Sequence, residues 1–82
     1  MGLSYSREHR LSNSDIPDFF VDGVAIEVKV RGSLDVHLRQ LKRYAEYEAV
    51  TGTILIMPKG TGMPDTISGK PAALITLWRN RL

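Results

Sequence analysis

The stretch PDFFVDGVAIEVK, residues 17–29, decides the fold of this chain because a tight-turn signal lies between two apolar-rich segments. The pair Asp22-Gly23 in such a setting is a strong signal for a two-residue type I′ hairpin. This turn also fixes the register of the two strands. The resulting pairs are Val21 with Val24, Phe20 with Ala25, Phe19 with Ile26, Asp18 with Glu27, and Pro17 with Val28. The sequence therefore predicts an antiparallel hairpin in which two acidic residues lie directly opposite each other.

The two faces of this hairpin differ in character, because successive side chains alternate across a strand. We expect the wholly apolar face to be the core side. It carries Pro17, Phe19, Val21, Val24, Ile26 and Val28. The other face carries Ile16, Asp18, Phe20, Ala25, Glu27 and Lys29. Like charges directly opposed at Cβ separations of roughly 4.5–5.5 Å destabilise a sheet, so a further group should offset the repulsion between the two carboxylates.

A hard divalent cation would offset that repulsion, since Mg²⁺ takes oxygen ligands and is commonly held by one or two carboxylates with water. Lys29 lies two residues beyond Glu27 and points the same way. Its ammonium can orient a metal-bound water and stabilise charge on a phosphate. The alternative is an exposed sheet face, but such a face would normally oppose a lysine to the glutamate. Asp18, Glu27 and Lys29 therefore predict a site for phosphodiester hydrolysis.

The rest of the chain predicts one helix and further strands. Residues 3–31 have a strand pattern, whereas residues 34–50 have helical spacing. The apolar stripe of the helix is Leu34, Leu38, Leu41, Ala45 and Ala49. Either Ser33 or Asp35 can serve as its N-cap, and Gly52 should close it.

Two more strands should follow the helix. Residues 53–57 form a continuous apolar run that is typical of a strand covered on both faces. Residues 58–70 are rich in Gly and Pro and should form an irregular loop, and residues 72–78 should form the last strand. The prediction is an α/β fold with a mixed β-sheet and the order β-β-β-α-β-β, in a single domain over residues 1–82.

The composition is that of an ordinary globular protein, with 43% hydrophobic and 24% charged residues among 82. A chain this short removes only about 60% of its unfolded surface on folding. It has no cysteine and therefore no disulfide or thiolate zinc site to add stability. We therefore expect a homodimer or higher homo-oligomer. The absence of a long apolar run and of a secretory signal predicts no membrane association and a cytoplasmic location.

The basic side chains are concentrated in one part of the chain. Six of the cationic or potentially cationic residues fall between Lys29 and Arg43, although the formal net charge is only +2. Such a cluster fits a polyanion such as DNA, and a solvated helix face is the alternative. We expect phosphate contacts from Arg31, Arg39, Lys42 and Arg43.

The residues 17–29 resemble the signature of the PD-(D/E)XK nuclease superfamily, in which Pro-Asp ends one strand and Glu-x-Lys lies on the next. Pro17 and Asp18 match the first half, and Glu27 to Lys29 match the second. The resemblance implies metal ligation by Asp18, Glu27 and the main-chain carbonyl of Val28, with Lys29 as the catalytic lysine. The whole chain is similar to short phage and prophage proteins of this superfamily that are related to replication-repair and Holliday-junction-resolving nucleases.

The segment RQLKRYAEY resembles the Gln-x-x-x-Tyr element that many of these nucleases place on the helix after the lysine strand. The resemblance implies that Gln40 belongs to the catalytic group and that Tyr44 contacts the DNA backbone. The alternative for Tyr44 is a half-buried side chain packed on the sheet. Glu8 is a candidate for a further acidic ligand, with His9 as its rival, although we favour an exposed or strand-edge position for both.

The resemblance also implies a restriction-endonuclease-like core, which usually begins with a helix before the first strand. Too few residues precede the segment 4–11 to build that helix here, so we expect either a partner subunit to supply the cover or a truncated or inactive relative. The expected protein is a Mg²⁺- or Mn²⁺-dependent deoxyribonuclease, an endonuclease selective for DNA structure. The alternative is a catalytically inactive module with the nuclease fold that binds DNA or serves in assembly.

Overall fold

The computed structural model describes residues 5–77, which form one helix and six strands. The strands are β1 (Tyr5–Arg7), β2 (Phe19–Val21), β3 (Val24–Val28), β4 (Gly52–Met57), β5 (Thr66–Ile67) and β6 (Lys70–Thr76), and the helix is α1 (Leu34–Ala45). The strands make a six-stranded sheet in the order β1-β2-β3-β4-β6-β5. The predicted α/β class with a mixed sheet is confirmed, whereas the predicted element order lacks β5.

The hairpin of β2 and β3 has the predicted turn and register. Asp22 and Gly23 both have positive φ angles, 49° and 86°, as a type I′ turn requires. The observed partners are Val21 with Val24, Phe20 with Ala25, and Phe19 with Ile26. Gly23 is also needed for space, since a Cβ at this position would lie 2.7 Å from the hydroxyl oxygen of Thr51.

Helix α1 connects two parallel strands, because β3 pairs in parallel with β4 and β4 in parallel with β6. Its N-cap is Ser33, whose hydroxyl accepts from the backbone N–H of Val36 at 3.4 Å. The helix ends at Ala45, so the predicted extension to residue 50 is wrong, as is the closing role given to Gly52, which begins β4. The chain turns instead, and the N–H of Val50 donates to the carbonyl of Tyr47 at 3.0 Å.

The core lies on the side of the sheet that α1 covers, which we call the helix face. On β3 and β4 this face carries Ala25, Glu27, Thr53 and Leu55, all at most 4% exposed. The opposite side, which we call the back face, carries the apolar residues of the hairpin. Its members are Tyr5, Arg7, Phe19, Val21, Val24, Ile26, Val28, Ile54, Ile56, Ala73 and Ile75.

The prediction that the apolar face of the hairpin is the core side is wrong for the described residues. Val28 is 38% exposed and Ile75 45% exposed, while Ile54 and Ile56 are only half-buried, so β4 is covered on one face rather than two. The physical reason is the crossover from β3 to β4, which places α1 on the side of Ala25 and Glu27. Alternation along a strand separates two faces but does not say which one a helix will cover.

The predicted loop over residues 58–70 is interrupted by β5, which pairs antiparallel with β6. The turn between them has positive φ at Ser68 and Gly69, 53° and 76°, the same type I′ pattern as in the first hairpin. Strand β6 therefore begins two residues earlier than predicted. Trp78, the predicted end of this strand, lies outside the described residues. No helix within residues 5–77 is long and apolar enough to cross a membrane.

Candidate metal centre

Asp18 and Glu27 lie together on the helix face, as the register predicts. The N–H of Val28 donates to Asp18 Oδ2 at 2.8 Å, and the N–H of Asp18 approaches Glu27 Oε1 at 3.4 Å. These two contacts continue the hairpin beyond the last pair of β2 and β3, with each carboxylate held against the neighbouring strand. The acidic pair is therefore positioned by backbone geometry and not by flexible side chains alone.

Glu27 is a buried carboxylate, only 4% exposed, with polar partners on both of its oxygens. The hydroxyl of Tyr44 donates to Oε1 at 3.0 Å, and the ammonium of Lys29 lies 3.1 Å from Oε2. A buried charge is costly unless it is paired and hydrogen-bonded, and these contacts supply both forms of compensation. Lys29 keeps 29% of its side chain exposed, so its ammonium lies between Glu27 and solvent.

Tyr44 and Gln40 extend this network from the helix. Gln40 Nε2 donates to the hydroxyl oxygen of Tyr44 at 2.8 Å, which leaves the single proton of Tyr44 for Glu27. Burial, reinforced by the negative charge of Glu27, raises the pKa of Tyr44 well above its ordinary value, so the phenol stays a proton donor. Tyr44 has no exposed surface, so the predicted contact of its side chain with DNA does not fit this structure.

The oxygen donors at this point are those that a hard divalent cation prefers. Asp18 Oδ1 has no hydrogen bond to any described residue, and it lies on the carboxylate whose other oxygen is fixed by Val28. In a β-strand the N–H and C=O of one residue point to the same side, so the N–H contact of Val28 implies that its carbonyl also points toward β2. Within residues 5–77, no three side chains of the His, Cys, Asp and Glu types form a metal site. The candidate donors are thus two carboxylates and one main-chain carbonyl.

The loop that leaves Lys29 is fixed by a buried histidine. His37 is 6% exposed, and its Nε2 lies 2.7 Å from the carbonyl oxygen of Arg31. Gly32 has a φ of 98°, and a Cβ there would lie 2.8 Å from the ring of His37. Arg31, which was predicted to contact phosphate, is exposed and follows Lys29 by two positions in the chain.

The other predicted phosphate ligands are spread around the helix. Arg39 and Lys42 are exposed. Because an α-helix turns by about 100° per residue, both lie on the side of α1 that faces away from Gln40 and Tyr44. Lys42 is also paired with Glu46 at 3.1 Å. The structure therefore does not bring Arg39 and Lys42 together with the carboxylates, although both remain accessible to a large polyanion.

Arg43 belongs to a second polar cluster that the sequence analysis missed. Its Nε donates to Asp15 Oδ1 at 3.1 Å, and the hydroxyl of Tyr47 donates to Asp15 Oδ2 at 2.8 Å. Asp15 is 8% exposed, and these contacts tie the segment that leads into Asp18 to the C-terminal end of α1. The hydrogen bond from Tyr47, with help from Arg43, holds the pKa of Asp15 below its ordinary value despite the opposing effect of burial. The only sequence signal was that Tyr47 follows Tyr44 by three positions, although the structure places Tyr47 after the end of α1 at Ala45.

Glu8 and His9 lie next to the acidic pair through the backbone. The N–H of Glu8 donates to the carbonyl of Asp18 at 2.8 Å, but its side chain is exposed and its φ of 52° interrupts the strand. The ring of His9 stacks on Phe20 with a centroid distance of 4.5 Å. Within residues 5–77, no hydrogen bond or ion pair joins either side chain to Asp18 or Glu27, in keeping with the favoured exposed or strand-edge positions.

Comparison with protein-family models, with curated proteins and with solved structures found no match for this chain. The chemical argument therefore rests on the residues themselves. Two fixed carboxylates, one ammonium and an adjacent carbonyl on one face can hold a divalent cation and place a positive charge beside it. Hydrolysis of a phosphate ester is one reaction that these groups can support.

Proposed function

We propose that this chain is a metal-dependent DNA endonuclease domain of the PD-(D/E)XK type, working with Mg²⁺ or Mn²⁺. The observation that supports it best is the grouping of Asp18, Glu27 and Lys29 on one face of the sheet, with Lys29 3.1 Å from Glu27. These are the three positions that the resemblance assigns to the catalytic cluster. The hairpin register that groups them follows from the Asp-Gly turn.

In this proposal each residue has a separate task. Asp18, Glu27 and the carbonyl of Val28 would hold the cation, whose chemistry there would be to lower the pKa of a bound water and to screen the charge of the phosphate. Lys29 keeps its ammonium at the mouth of the site, where it stabilises the charge that gathers on the phosphate oxygens. Tyr44 and Gln40 hold Glu27 in place. In the hydrolysis, a water oxygen would form a bond to phosphorus while the in-line bond from phosphorus to the departing oxygen breaks. The water would lose a proton to solvent, and the departing oxygen would take up a proton from solvent.

The proposed substrate is DNA, bound mainly through its backbone. All four predicted phosphate ligands are exposed: Arg31 follows Lys29 by two positions in the chain, and Arg39, Lys42 and Arg43 lie on α1. Backbone contacts position a nucleic acid without reading its bases, so the proposal includes selectivity for DNA structure and not for a long sequence. It also includes a homodimer or higher homo-oligomer.

A plasmid-nicking assay with Mg²⁺ tests the catalytic assignment. Glu27→Gln removes a ligand charge while keeping the shape of the side chain, and Lys29→Met removes the ammonium. We expect each variant to lose at least about a hundredfold in cutting rate. Glu48→Gln and Lys70→Met are the matched controls, because both residues lie at the end of the sheet where β4 and β6 begin, opposite the end that carries Lys29, and they should cut like the original chain. Equal cutting by all five proteins would contradict the assignment and point to a contaminating nuclease.

A second candidate function is a non-catalytic DNA-binding or assembly module with the same fold. One observation favours it: both carboxylates already have partners without a cation, Glu27 with Tyr44 and Lys29, and Asp18 with the N–H of Val28. Such a module would bind DNA with a salt-dependent affinity and would not cut it with Mg²⁺ or Mn²⁺. Its DNA affinity would be the same in the Glu27→Gln variant as in the original chain. The nicking and binding assays together separate the two functions.

A further inference from the structure

The back face is an apolar surface that no described residue covers. Five strands contribute to it, from β1 to β6 across the sheet. One row of paired residues crosses it from edge to edge, and Ile26 lies at the centre of this row. The row is Arg7, Phe19, Ile26, Ile54 and Ala73. Arg7 carries the single charge of the face and packs over Phe19 at 5.7 Å.

The two ends of the back face have opposite shapes. At the β1 end, Tyr5 is a large side chain that is 64% exposed. At the β4 and β6 end there is a hollow of about 220 Å³ between small residues and strand ends. Gly52 and Ala73 contribute almost no side chain to it, which explains the missing volume. One end of the face therefore protrudes where the other is recessed.

We propose that two copies of this chain associate back face to back face about a twofold axis that runs along β3. This axis exchanges the two edges, so β1 of each copy lies over β6 of the other, and each Tyr5 enters the hollow next to Ala73. Residues on β3 such as Ile26 meet their own equivalents, which apolar side chains tolerate. The two Arg7 side chains fall at opposite ends of the interface, so no like charges are opposed.

The size of the face is sufficient for such a pair. Five strands about 4.8 Å apart and about five residues long present roughly 400 Å² of flat area. With the relief of the side chains, two such faces bury about 1,000 Å² in total, which is near the lower limit for a specific interface. We therefore expect a dimer that dissociates on dilution. Its formation does not depend on the nuclease proposal, because both catalytic clusters remain on the outer, helix-covered faces.

Analytical ultracentrifugation of the full chain over a dilution series tests the interface. We expect dimers at high concentration, and we expect Tyr5→Ala to raise the dissociation constant about tenfold or more. Val36→Ala is the control, since Val36 is an exposed hydrophobic residue of α1 at 51% exposure and lies outside the back face. A chain that is monomeric at all concentrations, or a dimer unchanged by Tyr5→Ala, would overturn the proposal.

The choice of axis has its own test, at a position where folding is not at risk. Ala73 is exposed, and in the proposed pair it lies opposite Arg7 of the second copy. Ala73→Lys should therefore weaken the dimer several-fold more than Ala73→Glu, and the difference should shrink as salt rises. Circular dichroism checks that both variants are folded. Equal weakening by the two charges would rule out this arrangement of the two copies.

A crosslinking experiment adds a direct measure of proximity, because the chain contains no cysteine. With a short bismaleimide, Ile26→Cys on the axis should give covalent dimers, whereas Val36→Cys on the helix should give none. Pairing of two copies edge to edge through β6 would instead crosslink Ile75→Cys and leave Ile26→Cys monomeric. That result would also overturn the face-to-face arrangement.

Discussion

The two faces of one sheet have opposite relations to water in this chain. On the helix face, Ala25 and Leu55 have no exposed surface, and even the carboxylate of Glu27 is buried. On the back face, neighbouring residues of the same strands, such as Val28, are substantially exposed although they are apolar. The hydrophobicity of the side chains does not decide which face is buried. The position of α1 decides it, and the same cover that removes water from the core also encloses Glu27.

The largest expected effect contrasts two residues that are adjacent in β4. Leu55→Ala opens a cavity in the core under α1 and should lower the free energy of unfolding by about 2–5 kcal/mol. Ile54→Ala on the half-buried back face should cost at least about 1 kcal/mol less. Urea unfolding at concentrations where the chain is monomeric measures both. Equal losses would show that the back face is as tightly packed as the core.

The second prediction compares two tyrosine hydroxyls. That of Tyr44 bonds to Glu27 in the proposed metal site, whereas that of Tyr47 bonds to Asp15 outside it. Tyr44→Phe removes the hydrogen bond that Tyr44 donates to Glu27 and the acceptor of Gln40, and it should cost about 1–3 kcal/mol of stability. It should also weaken Mn²⁺ binding by about tenfold to a hundredfold, because Glu27 loses a group that fixes its position. Isothermal titration calorimetry measures that affinity.

Tyr47→Phe is the matched control for this comparison. It removes a hydroxyl from the same helix, but from the contact with Asp15 at 2.8 Å. We expect a loss of stability without a change in Mn²⁺ affinity. If the two variants bind Mn²⁺ equally well, Tyr44 does not position Glu27 for a cation.

The sequence was sufficient for the parts of this arrangement that depend on neighbours along the chain. The register of β2 and β3 follows from the two residues of the Asp22-Gly23 turn, and the start of α1 at Leu34 follows from the apolar stripe. The sequence left Ser33 and Asp35 as alternative N-caps, and the structure selects Ser33. Because of that register, the meeting of Asp18 with Glu27 was also predictable. Residues two apart on one strand share a face, which brought Lys29 to the same side.

Features that depend on distant parts of the chain were not predictable in this way. The covered face of β3 is set by the path of α1 toward β4, and no local pattern records that path. The contact of Asp15 with Tyr47 joins residues 32 positions apart. Strand β5 has only two residues, too few for a period to be visible. The apolar residues at 49 and 50 imitate a continued helix, although Val50 is buried after a turn.

A smaller effect concerns Asp15 and the dependence of stability on pH. The pKa of Asp15 is lower in the folded chain than in the unfolded chain, chiefly because Tyr47 and then Arg43 stabilise its charged form. The stabilisation is therefore present above the ordinary pKa of an aspartate, near 4, and is lost as pH falls below it. Asp15→Asn should reduce this loss in acid unfolding. If the decrease of stability at acid pH is the same in Asp15→Asn as in the original chain, the contacts with Tyr47 and Arg43 do not favour the charged form of Asp15 over the protonated form.

The smallest effect is expected on the outer side of α1, where neither face of the sheet is involved. Lys42 and Glu46 form an ion pair at 3.1 Å, with side chains that are 63% and 59% exposed. Solvent and salt screen such a pair, so a double-mutant cycle with Lys42→Ala and Glu46→Ala should give a coupling of about 0.3–0.5 kcal/mol that disappears at high salt. If the coupling free energy of this exposed pair is as large as that of the buried groups around Glu27, exposure to water does not determine the relative strength of these interactions. The contrast between the covered and uncovered sides of the molecule would then need another cause.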